Sequence, residues 1–433
     1  MKFLKFVLSL IFLVTIVCNK SYSEDKSINN NVLKYKDYTY SDNIKTVLLF
    51  KEGSEMSLPL IRLNSSEKLQ LLFDDLDNKS KNFYYTILHC NSNWEPSDLS
   101  ATEYIEGFSE GEIRNYKYSF NTSYEYIHYE LILPNEEISP KICGNYVLLV
   151  YEAFDPDSVI LSRRFYVSDP KVVIKAQVKR PKSPDFRDTG QEIDFSILHD
   201  GYYIRDPFSD IKVNILQNNR YDNCITTLKP LFVKPNILDY TYDYENAFLG
   251  GSEYRYFDIK SMRYQAENIK EIDFKHPYYH VMLFPDDPKP FKPYSYIIEI
   301  NGKYYIDVQE GRDKHIEADY VYVHFNMPYE VPMVEGDVYV YGAFTDWNLT
   351  ERNKMAYNFD NHAYEKTLLL KQGYYNYEYV FVKNNKVYAD NTFFEGSHYE
   401  TENDYLILIY HSESTSKYEK LIGVKFLNSL RDE

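Results

Sequence analysis

The chain has 433 residues, with 48 basic and 65 acidic side chains and a formal net charge of −17. A surface this negative repels nucleic acid and anionic lipid headgroups, which excludes both as principal partners. The 46 tyrosines and 26 phenylalanines, set against only 15 glycines, favour strands and half-buried faces and suit protein interfaces.

At the N-terminus, Lys2 and Lys5 precede the apolar run Phe6 to Cys18 and the small-residue pattern Ser21-Tyr22-Ser23. The run is short for a membrane span. The layout predicts a secretory signal over residues 1–23, cut after Ser23. Cys18 invites a lipid anchor, but Val17 stands where lipid attachment needs a small residue. Cleavage leaves 45 basic and 65 acidic side chains, a net charge of −20. No later segment approaches a spanning length of apolar residues, so an exported, soluble chain is expected. Cys90, Cys143 and Cys224 are too few for a disulfide framework. Cys90 and Cys143 are the only pair expected to share a domain, and the sequence leaves open whether they are bridged.

Period-two alternation then recurs to the end of the chain. Strands are predicted at Leu69 to Phe73 and Phe83 to His89, either side of the turn Asp74-Asp75-Leu76-Asp77-Asn78. Tyr126 to Leu133, Asn145 to Tyr151 and Arg164 to Val167 follow, with Ser168-Asp169-Pro170 as a seam. Val172 to Val178, Ile193 to Leu198, Ile211 to Leu216 and Tyr296 to Ile300 continue the pattern. An irregular or partly helical excursion is expected over Asn246 to Tyr264. A second seam is placed near Gly311-Arg312-Asp313, before Tyr320 to Phe325, Val338 to Tyr341, Tyr364 to Leu370, Tyr375 to Val382 and Tyr405 to Tyr410. The expectation is an all-β chain of tandem immunoglobulin-like β-sandwich domains over residues 24–168, 169–312 and 313–433.

Catalytic constellations do not assemble. Gly107-Phe108-Ser109-Glu110-Gly111 matches the nucleophile elbow formally, with His128 as the nearest candidate base. However, Glu112 to Phe120 has no apolar helical face to follow the serine. His276 and His280 are four apart, but Pro277 between them rules out the helical spacing a zinc site needs. The acidic loops Asp74 to Asn78 and Pro285-Asp286-Asp287-Pro288 lack the central glycine and closing glutamate of a calcium loop. No cofactor, metal or enzymatic activity is expected.

Tyr341-Gly342-Ala343-Phe344-Thr345-Asp346-Trp347 resembles the glycogen-binding module of the early-set immunoglobulin type, from about Val338 to Tyr410. The resemblance implies a sugar-stacking Trp347 and a hydroxyl-binding Asn403. The family's lysine position holds Glu378, and its second tryptophan position falls at Val387. A glycan-binding protein is therefore the alternative functional reading.

A wider set of motifs is more specific. Phe73-Asp74-Asp75-Leu76, Tyr85 to Asn91, Trp94-Glu95-Pro96-Ser97, Gly144-Asn145-Tyr146, Leu249 to Asp258, Leu370 to Tyr377 and Glu395-Gly396-Ser397-His398 together resemble the type IX secretion system plug protein family, from about Tyr35 to about Lys425. The resemblance implies a periplasmic β protein, held at the inner face of the outer membrane. There it would close the periplasmic end of the translocon's outer-membrane β-barrel, its partner. It brings no catalytic residues. Trp94, Phe344 and Trp347 are the candidates for partner or ligand contact, on the expectation that exposed aromatics anchor such docking.

Overall fold

Strand formation follows the apolar alternation closely. In Tyr320–Pro328, the side chains of Val321, Val323, Phe325 and Met327 enter a core, while Tyr322, His324 and Asn326 stay partly exposed. That is the period of a pleated strand with one buried face. The protein, described here by a computed structural model, is defined over residues 33–153, 155, 157–413 and 416–431. The expected export signal lies outside those residues.

Three β-sandwiches result. The first uses β1 (Ile44–Lys51), β2 (Leu69–Asp75), β3 (Phe83–Cys90), β4 (Asn115–Tyr118), β5 (Ile127–Leu133), β6 (Gly144–Glu152) and β7 (Val159–Ser168). One sheet runs β1-β2-β5-β4; the other carries β7-β6-β3, with short strands at its margins. Phe73, Phe83, Tyr85, Ile87, Tyr129, Tyr146 and Phe165 fill the space between them. The second sandwich begins with β8 (Val173–Lys179), β9 (Gly190–Leu198) and β10 (Ile211–Gln217). The chain then leaves it and builds the third from β11 (Arg255–Asp258), β12 (Tyr320–Pro328), β13 (Gly336–Tyr341), β14 (Ala363–Lys371) and β15 (Gly373–Lys383), with shorter strands beside them. It finally returns to the second with β16 (Asp404–His411) and β17 (Lys420–Asn428), which pair in the order β10-β16-β17.

This return corrects the linear partition. Residues 313–433 are not one sandwich, because Ile211 to Gln217 pairs in register with His411 to Tyr405. Nor does a seam fall at residues 311–313, since Tyr304–Ile306 already pairs with β15. The third sandwich is thus inserted within the second. Strand positions are local properties, but partner choice is settled by burial across the whole chain. Tyr296 to Ile300 is a second correction. It forms no strand, and the Ile300 N–H donates to the Asn376 side chain at 2.7 Å. Over Asn246 to Tyr264 only two short strands form, with no helix.

A candidate interface at the seams between the sandwiches

The family-like motifs converge on the contacts that lock the three sandwiches together. Asp74, at the end of β2, is only 1% exposed. Its Oδ1 lies 2.7 Å from His128 Nδ1 on neighbouring β5. Its Oδ2 accepts from Lys371 Nζ and from the Tyr320 hydroxyl, each at 2.7 Å, and both come from the third sandwich. Burial would raise this carboxyl, but Lys371 and His128 outweigh it and hold the group below the ordinary carboxylate range. Lys371 Nζ also donates to the His315 carbonyl and sits 4.2 Å from the centre of the Tyr126 ring. A buried ion pair is tolerated only when its remaining hydrogen-bonding capacity is met, and here it is.

Two arginines repeat the pattern. Arg163 on β7 donates to both oxygens of Asp346, at 3.0 and 3.2 Å, joining the first sandwich to the third. Arg220, fully buried after β10, forks onto Asp222 and reaches Glu378 Oε1 at 3.3 Å on β15. The double glycine is explained by close approach. A Cβ on Gly250 would lie 2.0 Å from the His398 carbonyl oxygen, and Gly251 has φ +66°. Gly251 N–H donates to Ser397 Oγ, which in turn donates to Thr189 O. The Leu249 to Asp258 and Glu395 to His398 motifs are thereby one structural unit.

The three candidate contact aromatics fall in these seams rather than on an outer face. Trp94 is 6% exposed, with the Arg164 guanidinium 4.4 Å from its ring centre and Tyr166 and Tyr221 against its edges. It pins the first sandwich to the second, so the expectation of an exposed Trp94 is corrected. Phe344 and Trp347 are half-buried. Phe344 packs edge-on to Tyr304 and Tyr375. Trp347 packs against Tyr254 and Tyr341, and so close to Gly302 that a Cβ there would come within 2.4 Å of its ring. Asn403, 2% exposed, spends its amide on Gln191, Gly250 and Asn218.

The remaining candidates have structural tasks. Ser109 sits in an exposed turn, while His128 is committed to Asp74. His280 pairs with His324 at 2.8 Å. In the acidic loops, Asp75 and Asp77 bind Lys81, and Asp286 binds Arg255. Cys90 and Cys143 are free thiols, pushed by burial up to about 12 and about 11 respectively. Sequence reasoning missed Asp74–Lys371, Arg163–Asp346 and Arg220–Glu378. The available signal was a charge set inside an apolar strand pattern, as in Leu-Gln-Leu-Leu-Phe-Asp-Asp.

Two cavities open along the seam between the first and third sandwiches, of about 290 and 170 Å³. They share Val47, Arg163, Tyr304 and Asp346 as walls, with Phe344 lining the larger and Trp347 the smaller.

Residues 44–169 match the profile of the "Type 9 secretion system plug protein 1st domain", which is the first sandwich. A crystal structure of a hypothetical protein from Parabacteroides merdae, solved at 2.30 Å, superposes with a TM-score of 0.89 at 34% sequence identity. That alignment covers 92% of this chain and 100% of the other, so the insertion of the third sandwich is common to both. Among curated proteins none matches. With its motifs gathered at the seams and its first sandwich matched by that profile, the chain belongs to the type 9 secretion system plug protein family.

Proposed function

We propose that the protein is exported to the periplasm and docks on the inner, periplasmic end of the type 9 translocon's outer-membrane barrel, closing it. The family match over residues 44–169 carries this reading. The physical character of the body supports it. Three sandwiches tied by buried ion pairs and aromatic stacks make a stiff object, and a stiff object is what obstructing a wide channel requires.

The contact face is sought among exposed aromatics, since Trp94 is buried and Phe344 and Trp347 are half-buried. β4 is a sheet edge whose four residues are all exposed. With Phe120 just beyond it, the edge presents Tyr116, Tyr118 and Phe120 to solvent, Lys117 between them. An aromatic edge strand offers backbone hydrogen bonds and large anchors together, which suits docking on another β structure.

Affinity isolation of the tagged full-length protein from envelope membranes tests the reading. The outer-membrane barrel is expected to co-purify, and deletion strains should take up large antibiotics more readily. Recovery without any barrel, from envelopes that contain one, would refute it.

A further inference from the structure

The larger seam cavity has the makings of a ligand site. In a chain with more acids than bases, its walls carry four cations, Lys45, Arg163, Arg352 and Lys371, against a single carboxylate, Asp346. Three of the four are matched: Arg163 to Asp346 at 3.0 Å, Arg352 to Asp42 at 2.7 Å and Lys371 to Asp74 at 2.7 Å. Lys45 is not. It is half-buried and makes no hydrogen bond or ion pair among the described residues. Burial, then the nearby Arg352, lowers its ammonium from the ordinary lysine range, with Asp42 opposing them, so an anion placed there would favour the charged form. The Tyr304 hydroxyl on the same wall also has no hydrogen-bond partner among those residues.

Backbone strain marks both sides of the same cavity. Beside Lys45 the β1–β2 register slips by a bulge, and within it Thr46 has φ +50°, a left-handed conformation that a β-branched residue rarely adopts. Across the cavity Asp346 and Trp347 are left-handed in succession, at φ +55° and +51°. Such conformations cluster where side chains must be aimed. The bulge turns the Thr46 hydroxyl onto Tyr320 and leaves Lys45 in the cavity wall.

We propose that this cavity binds a carboxylate carried on a small apolar body, with the carboxylate on Lys45 and the body against Phe344 and Leu368. A volume of about 290 Å³ is at the low end for small-molecule sites. One unmatched cation suits a monoanion rather than a phosphate dianion. The partly open, partly apolar lining suits an acid of roughly ten non-hydrogen atoms. The same chemistry is offered by a free aryl or alkyl acid and by the terminal carboxylate of a peptide.

Titration calorimetry on the intact mature chain tests the site with two pairs of probes. They are 3-phenylpropionate against 3-phenylpropanamide, and a tripeptide acid ending in phenylalanine against its C-terminal amide. In at least one pair the acid is expected to bind at least tenfold more tightly than its amide. Binding of only the small acid assigns a free ligand; binding of only the peptide acid assigns a chain terminus. Lys45→Met should lose at least tenfold in affinity for that acid, and Lys45→Arg should retain it. Equal affinity of acid and amide, no binding of either acid at millimolar concentration, or an unchanged Lys45→Met variant would each overturn the proposal. Should Lys45→Met fail to fold, the acid–amide contrast on the unaltered protein decides it alone.

Discussion

The two seams that border the first sandwich are built on different principles. Toward the second sandwich, Trp94 is clamped between Arg164, Tyr166 and Tyr221, while Tyr410 donates to Asn145 at 2.8 Å and Asn214 to the Ser92 carbonyl at 2.7 Å. Toward the third, the ion pairs Asp74–Lys371 and Arg163–Asp346 join the Tyr126–Tyr320 contact, the larger cavity lies beside them, and the smaller one reaches across to Tyr166 and Tyr221. Aromatic packing fills space, whereas a buried ion pair fixes a direction and leaves volume around it. The first seam reads as a weld and the second as a socket.

Breaking the socket's central pair should have the largest effect. Asp74→Ala strands Lys371, 1% exposed, without a counter-charge, and should cost about 3–5 kcal/mol in urea unfolding. Asp74→Asn combined with Lys371→Met should recover much of that loss, because the uncompensated charge is gone. On the welded side, Trp94→Ala should cost about 3–4 kcal/mol by the same measurement, through lost burial and a cavity. No double replacement short of another large side chain should rescue it. Gly250→Ala should cost about 1–3 kcal/mol, since its Cβ would collide with the His398 carbonyl oxygen.

A smaller effect depends on pH. Burial, followed by the neighbouring Glu253 charge, pushes the Glu299 carboxyl up to about 8, with Glu402 adding to the repulsion and the N–H groups of Asn301 and Gly302 opposing it. The folded state therefore holds a proton that the unfolded chain, at its ordinary value of about 4.3, has released. Stability from this group is complete below that value and is lost as the pH rises through about 8. Glu299→Gln, which keeps the neutral form, should match the parent near pH 4 and exceed its melting temperature at pH 8. Ser109→Ala, in its exposed turn, should change stability by less than about 0.5 kcal/mol.

Much of the fold was legible because it is written locally. Val321, Val323, Phe325 and Met327 declare a strand with one buried face wherever they stand. The nesting of the third sandwich inside the second was not legible, since nothing within Ile211 to Gln217 names Tyr405 to His411 as its partner. The seams were half legible. Asp74 was visible as an acid in an acidic turn, yet its role is set by Lys371, 297 residues away. Trp94 and Trp347 stand in the sequence as candidate contact aromatics, Trp347 within the motif that resembles a glycogen-binding module. Local sequence does not separate an anchor for a partner from a rivet between domains, as Trp94 is, or from a ring packed within its own domain, as Trp347 is against Tyr254 and Tyr341.

If this body closes a barrel, as we propose, it must fit against the barrel's periplasmic end. The most direct test is the conductance of the purified translocon barrel in a planar bilayer, with the full-length protein added to its periplasmic side alone. A stepwise fall in current is expected, reversed on washing and absent when the protein is added to the opposite side. A current unaffected by saturating protein would contradict it.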